Sequence, residues 1–297
     1  MRYILTILLL LVYPLSGSDA LRNSMSSIIN SAFNSHANKD HMIALASKNK
    51  MLSQRMAKDA ILIVLNENKE ESYKDLLYCA DSFDALIHGL YHGDKNLKIV
   101  KAKDKKVLAH LGEVNAVWKE FFLHTKNFIS NGKINKKSYQ YIMANNEKLL
   151  RLSHKLMQTL KSKQTISTTF NKIEAHTLKI LDRQRMLTQK ILKEKLLLLA
   201  GIDTKRNEVR LIGSITLLEN GLKALLNGEN KRGVVQSADK KIQVKLKEAW
   251  SEWNRVEAIY RKDEVSKKEL NQLYTSDPIL LNVSVELVSL VEKSLGI

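Results

Sequence analysis

The feature that most constrains this chain is that it resembles itself at one fixed offset. His41 and His176, Met51-Leu52 and Met186-Leu187, Gln54 and Gln189, Lys58 and Lys193, Gly93 and Gly228, and Trp118 and Trp253 are each 135 positions apart. Acidic residues keep the same offset, Asp59 with Glu194 and Asp94 with Glu229. An ungapped match over so long a span means that one structural unit occurs twice. The copies fall at 21–164 and 165–297, with residues 1–20 set apart. Toward the C-terminus the match slips by about one residue, so that Asn146 corresponds to Asn282.

Each unit carries a helical pattern. Leu45, Leu52, Met56 and Ile63 are spaced seven, four and seven, one face of a 3.6-residue period, and Ile180, Leu187, Ile191 and Leu198 repeat it. A second helix is predicted from about Ser72 to His92, stopped by Gly93, with Gly228 in the same role later. A third carries Trp118 and reaches about Ile129, and a fourth spans about Lys137 to Ser162. In the second unit Asp277-Pro278 reads as a helix cap followed by a first-turn proline. With 11 Gly and 2 Pro in 297 residues, an all-β sandwich lacks its turns. The expectation is an all-α protein of two tandem antiparallel four-helix bundles without β-sheet. No Gly or Pro lies between Lys133 and Ala200, so the fourth helix is free to run into the fifth. The β-branched stretch Thr165-Ile166-Ser167-Thr168-Thr169 marks the place for a break.

The first twenty residues set the expected compartment. Arg2 supplies a positive start, Ile4 to Tyr13 is an apolar run broken by Thr6, Pro14 ends it, and Ser16-Gly17-Ser18-Asp19-Ala20 offers small residues. That is the layout of a secretory signal peptide, too short to span a bilayer. The expected location is the periplasm, with an uncleaved anchor as the alternative. Lys+Arg 48 against Asp+Glu 31 gives a net charge of +17, which favours anionic partners. Export argues against nucleic acid among them. The single Cys79 excludes an intrachain disulfide and a cysteine-based zinc site.

Two segments carry a family resemblance: Lys48-Asn49-Lys50-Met51-Leu52-Ser53-Gln54-Arg55-Met56-Ala57-Lys58-Asp59 and Arg183-Gln184-Arg185-Met186-Leu187-Thr188-Gln189-Lys190-Ile191. They resemble the signature of the PilJ-type domain, the N-terminal sensing domain of type IV pili methyl-accepting chemotaxis transducers. They are also similar to the P-box of nitrate/nitrite sensor histidine kinases. The pattern Phe83, Leu86, Leu90, Gly93-Asp94 fits the second helix of that family. The resemblance implies a periplasmic four-helix sensory bundle in which basic residues of two first helices bind nitrate or nitrite across a dimer. By motif position the two sensor arginines fall on Lys50 and Arg55 and on Arg185 and Lys190. Each copy thus keeps one arginine and replaces the other with lysine, which retains the charge but loses the planar fork. Those families continue into transmembrane and signalling segments, so a separate membrane-bound histidine kinase or chemoreceptor is the expected partner.

The spacing has its own content. Lys48 and Arg55 are seven apart and share a helix face, as do Arg183 and Lys190. Arg55 borders the apolar stripe, where a partly desolvated cation gains most from an anion; Ser53 or Thr188 offers a further donor. The candidate ligand residues are therefore Arg55, Lys50, Arg185, Lys190, Lys48 and Arg183. Within one chain Arg55 would face Lys190; with a continuous fourth and fifth helix, each would meet its own copy across a homodimer, the arrangement favoured by the missing Gly and Pro. Against a ligand site stands the i,i+4 spacing of Arg55–Asp59 and Lys190–Glu194, that of plain intrahelical salt bridges. A helical adaptor with a silent site is the competing reading. His88 and His92 have metal spacing but no third ligand, and the tryptophans and methionines read as core. No catalytic series is present, so no enzyme activity and no cofactor are expected. N-terminal sequencing of protein recovered from the host envelope is expected to find a start between Asp19 and Leu21; an intact Met1 would establish the anchored form.

Overall fold

The computed structural model describes residues 38–162, 172–229 and 234–294. Among them run eight helices: α1 (Asn38–Val64), α2 (Lys69–His92), α3 (Lys105–Lys126), α4 (Lys136–Ser162), α5 (Lys172–Leu199), α6 (Thr204–Asn227), α7 (Lys240–Tyr260) and α8 (Lys267–Ser294). Helices α1–α4 close one antiparallel bundle, each packed on the next and α4 back on α1; α5–α8 close a second in the same order. The segment expected to be a signal peptide and the Thr165–Thr169 stretch lie outside the described residues. So does the boundary between residues 164 and 165.

The repeat is visible atom by atom. Both second helices stop at a glycine in the left-handed region, Gly93 at φ 83° and Gly228 at φ 75°, which an L side chain resists. Each following loop closes with one antiparallel bridge, Asp94 with Ile99 and Glu229 with Val234. Asp104 and Asp239 then cap α3 and α7, each carboxylate accepting from the backbone N–H groups two and three residues on. The tryptophans anchor equivalent places. The Trp118 indole donates to Asp84 at 2.8 Å and stacks on Phe83, while Trp253 donates to Glu219 at 3.3 Å and stacks on Tyr260.

Three expectations need correction. The absence of sheet is not complete. A two-residue pair, β1 (Ile129–Ser130) with β2 (Lys133–Ile134), closes over Asn131 and Gly132, both at positive φ, where Asn-Gly suits a tight hairpin. Asp277-Pro278 does not start a helix: Pro278 sits inside α8. The true start is a capping box at Ser266, whose hydroxyl accepts from Glu269 N–H while the Glu269 carboxylate accepts from Ser266 N–H. Asp277 instead turns its carboxylate toward the other bundle.

The third correction concerns the rod-like α4–α5 connection. Helix α4 ends at Ser162 and α5 begins at Lys172, bracketing the β-branched stretch. Helix α5 then packs along α1. The contacts straddle equal repeat positions at two levels. Gln54 meets Lys193 and Lys58 meets Gln189 lower down, while higher up the charge of Arg185 acts on both Lys48 and Lys50. Helices α1 and α5 are therefore parallel, related by a pseudo-twofold axis running between them. The two motif helices pair inside a single chain. Packing on another surface outweighs local propensity, so a stretch without Gly or Pro does not decide how two helices are arranged.

The two cores meet across this seam: Ile61 of α1 packs in the second core and Leu281 of α8 in the first. Urea unfolding followed by far-UV ellipticity is therefore expected to show one cooperative transition for both bundles. Two resolved transitions would mean that the units are energetically independent.

Candidate functional site

The seam between α1 and α5 carries three polar layers, built from residues four apart that share one helix face: Lys50, Gln54 and Lys58 from α1, and Arg185, Gln189 and Lys193 from α5. In the lowest layers the ammonium of each lysine crosses to the other bundle. Lys58 Nζ donates to Gln189 Oε1 at 2.8 Å and to Asp277 Oδ2 of α8 at 2.6 Å, while Gln189 Nε2 donates to Asp277 Oδ1 at 3.1 Å. Reciprocally, Lys193 Nζ donates to Gln54 Oε1 at 2.7 Å, and on α4 to Asn146 Oδ1 at 3.1 Å and Glu147 Oε1 at 2.5 Å. Both lysines are buried. Burial opposes the charge on Lys58, but Asp277 and Asp59 outweigh it and raise its pKa.

The upper layer is different. Lys50 is buried at 7 % exposure, and among the described residues it makes no ion pair. Its pKa is pushed down to about 8, first by burial and then by Lys161, Arg185 and Arg183, against the opposing pull of Asp182. Lys48 is also pushed down to about 8, mainly by burial, with Arg185 and Arg55 adding to it. On α4 the His154 pKa is lowered by burial and then by Lys50, Lys161, Lys179 and Arg183. Three helices thus deliver cations to one region, where they repel one another. The local carboxylates are few: Asp182 pairs with Arg185, and half-buried Glu292 of α8 is pushed up to about 7 by desolvation. A small oxyanion entering there relieves cation–cation repulsion and adds charge-assisted hydrogen bonds.

The six sequence candidates separate into two sets. Lys50 and Arg185 take the seam positions of the upper layer, where the charge of Arg183 acts on Lys50 and that of Arg185 on Lys48. Arg55 and Lys190 do not face each other; both turn into their own bundles. Arg55 Nη2 donates to Asp75 of α2 at 2.5 Å and lies 3.9 Å from Asp59. Lys190 pairs with Glu194, whose other oxygen accepts from Ser214 of α6 at 2.8 Å. Arg55, five residues from Lys50, lies well round the helix from the seam, whereas the four-residue steps 50–54–58 stay on it. The Ser53 and Thr188 hydroxyls also turn away, donating to the carbonyls of Lys50 and Arg185. The His88 and His92 rings lie 4.5 Å apart at a tilt of 42°, and among the described residues no group of three possible metal ligands forms.

Gln54, Lys58, Gln189 and Lys193 are legible in the sequence only as matched repeat positions; their four-residue spacing from Lys50 and Arg185 is the signal that places them at a seam. Asp277, Glu147, Asp182, Lys161 and Glu292 carry no such signal. One level down the repeat, Asn49 and Gln184 are both buried at 1 % exposure. Among the described residues nothing hydrogen-bonds Asn49 Oδ1 or either amide atom of Gln184. Such uncompensated polar atoms flank the cations of both motif copies.

Against protein-family models, residues 32–142 and 183–278 both match the type IV pili methyl-accepting chemotaxis transducer N-terminal domain, PilJ. The chain belongs to the PilJ family. Its two matches coincide with the two bundles, and the family is one of chemotaxis sensing, with a membrane chemoreceptor as its signalling context. No curated protein matches the chain. In this PilJ protein the partner motif helix is supplied by the second copy in the same polypeptide.

The crossed lysine network yields a stability test. Replacing Lys58 by Met leaves the Asp277 carboxylate buried without its cation and is expected to cost about 3–5 kcal/mol. The double replacement Lys58→Met with Asp277→Leu is expected to recover most of that loss. Urea midpoints of the four proteins measure the coupling.

Proposed function

We propose that this tandem PilJ protein is an exported, periplasmic sensory module that binds a small oxyanion, nitrate or nitrite first, where α1 and α5 meet. It relays occupancy to a separate membrane-bound histidine kinase or chemoreceptor and has no catalytic role of its own. One observation carries the reading. Of the three polar layers on the seam, the lysines of the lower ones have carboxylate partners on the opposite bundle, while the upper one sets Lys50 among the charges of Lys161, Arg183 and Arg185, with Asp182 and a half-neutral Glu292 as the nearby acids. The anion supplies the missing counter-charge, gripped by the Arg185 fork from one side and the Lys50 ammonium from the other. The similarity of the motif to the nitrate-sensor P-box supports the choice of ligand.

A different observation favours the adaptor reading. Arg55, Arg185 and Lys190 already have carboxylates of their own, as plain intrahelical pairing anticipates. Titration calorimetry on the exported protein with nitrate, nitrite, sulfate and chloride separates the two. On the sensory reading at least one oxyanion binds, and Lys50→Ala with Arg185→Ala weakens it by about 1.5–3 kcal/mol, the scale of lost charge-assisted hydrogen bonds. Acid strengthens binding: as pH falls from about 9 to about 6, Lys48 and Lys50 take up protons near 8 and Glu292 is neutralised near 7, all adding positive charge. Absence of binding by all four anions, with no shift in thermal midpoint, hands the protein to the adaptor reading.

A further inference from the structure

Asp59 and Glu194 stand at the same position of the two motif helices, and both are buried. Their surroundings differ. Glu194 is hydrogen-bonded at both oxygens, by Lys190 of its own helix and by the Ser214 hydroxyl of α6 at 2.8 Å. In the first copy both donors are lost to the acid. At the place of Lys190 stands Arg55, whose Nη2 goes to Asp75 of α2 and whose Nε stays 3.9 Å from Asp59 Oδ2. At the place of Ser214 stands Cys79, a buried thiol and a far weaker donor than a hydroxyl. Asp59 Oδ2 is itself buried, and among the described residues it accepts no hydrogen bond.

The neighbouring Lys58 does not make up the deficit. Its Nζ lies 3.4 Å from Asp59 Oδ1 but donates across the seam to Gln189 and Asp277. Two cations, Arg55 and Lys58, therefore serve three carboxylates: Asp59 of α1, Asp75 of α2 and Asp277 of α8. All of these charges act on Asp59. From α5 the group meets neutral Gln189, through Lys58, and the seam acid of α4, Glu147, is held by Lys193. A buried carboxylate short of hydrogen bonds is more stable with a proton. Burial is the first cause that pushes Asp59 up to about 7, and it pushes Cys79 up to about 12, so the thiol keeps its proton.

We propose that Asp59 is a proton-binding site of the seam, a pH-sensitive latch on the crossing of Lys58 to the second bundle. With the proton on, the Lys58 ammonium belongs to Asp277 and Gln189 and ties the bundles together. With the proton off, a third carboxylate charge enters the cluster, repels Asp277 and draws the ammonium back toward its own helix. Mild acid tightens the seam and mild alkali loosens it. The second copy, whose acid is hydrogen-bonded twice, lacks this deficit. The proposal does not rest on the anion reading of the upper layer.

The sign follows from linkage. The folded state keeps the Asp59 proton up to about 7, whereas an ordinary aspartate gives it up near 3.8, so stability falls as pH rises between those values and is level above them. Asp59→Asn stays neutral throughout. Its urea midpoint is expected to gain on that of the wild type as pH rises toward 7, and the gain then levels off. Lys48, Lys50 and Glu292 titrate near 7 to 8 in both proteins and cancel in the difference.

The direct test is carbon-13 NMR of the exported protein labelled at its aspartate carboxyls. One carboxyl is expected to titrate near 7 and to be missing in Asp59→Asn. Cys79→Ser restores the hydroxyl of the second copy and is expected to move that titration down by about one pH unit, the scale of one hydrogen bond to a charged group. A double-mutant cycle on Lys58 and Asp277 reads the latch: their coupling is expected to be larger at about pH 6 than at about pH 8, and equal at both in Asp59→Asn. The proposal is overturned if no aspartate titrates above about 6. It is also overturned by an unmoved titration in Cys79→Ser, by a pH-independent coupling in the wild type, or by an Asp59→Asn protein that loses ground to the wild type as pH rises.

Discussion

A lysine ammonium cannot stay charged inside a protein without an anion close by. Lys58 and Lys193 meet that demand by reaching out of their own bundles, to Asp277 and Glu147 of the other. Much else follows from the crossing. It fixes the register of α1 on α5, since a shift by one residue would rotate both ammonium groups off their partners. With Arg185 acting on Lys50 at a second height, it also shows their direction, because levels that both centre on the repeat offset require parallel helices. It also brings the two Gln residues into the middle of the seam, each accepting from the lysine of the opposite helix. The apolar contacts of Ile61 and Leu281 across the same boundary add burial, but non-directional contacts alone specify neither register nor direction.

The lower layers leave the upper one with an electrostatic surplus. Among the described residues, ion pairs between the bundles lie at the level of Lys58 and Lys193. At Lys50 and Arg185 the nearest acids are an intrahelical partner and a glutamate that burial holds near half-protonation. The two halves have also diverged. Lysine faces arginine in the upper layer, and the carboxylate that meets Lys58 comes from a different height on its helix than the one that meets Lys193. Any ligand in the upper layer therefore has two distinguishable ends, which a twofold-symmetric dimer cannot offer.

Much of this architecture was open to reading before any coordinates. The 135-residue offset exposed the duplication, and the seven-four-seven spacing exposed the helices, because burial imposes periodicity on every element that packs. Gly93 and Gly228 marked true helix ends, since their backbone angles exclude most other residues. The α8 start was misread because Asp-Pro carries a strong local signal, whereas the Ser266–Glu269 capping box that actually starts the helix is a quieter pattern in a lysine-rich stretch. The lean toward one continuous helix came from the missing Gly and Pro; the packing of α5 along α1, a long-range effect, decides against it. Arg55 and Lys190 drew attention through chemistry, but which face of α1 meets α5 is decided by the partner helix, and no local spacing contains it.

Covalent succession has a kinetic meaning. When two sensing helices belong to different polypeptides, their encounter is second order and fades on dilution. Here residues 163–171 tether the second copy to the first, and the encounter becomes unimolecular, governed by an effective concentration set by a short connector. The pair is complete in every molecule at any abundance, and neither half exchanges with a neighbour. Expression level then scales the number of assembled sites linearly, with no threshold below which half-sites accumulate.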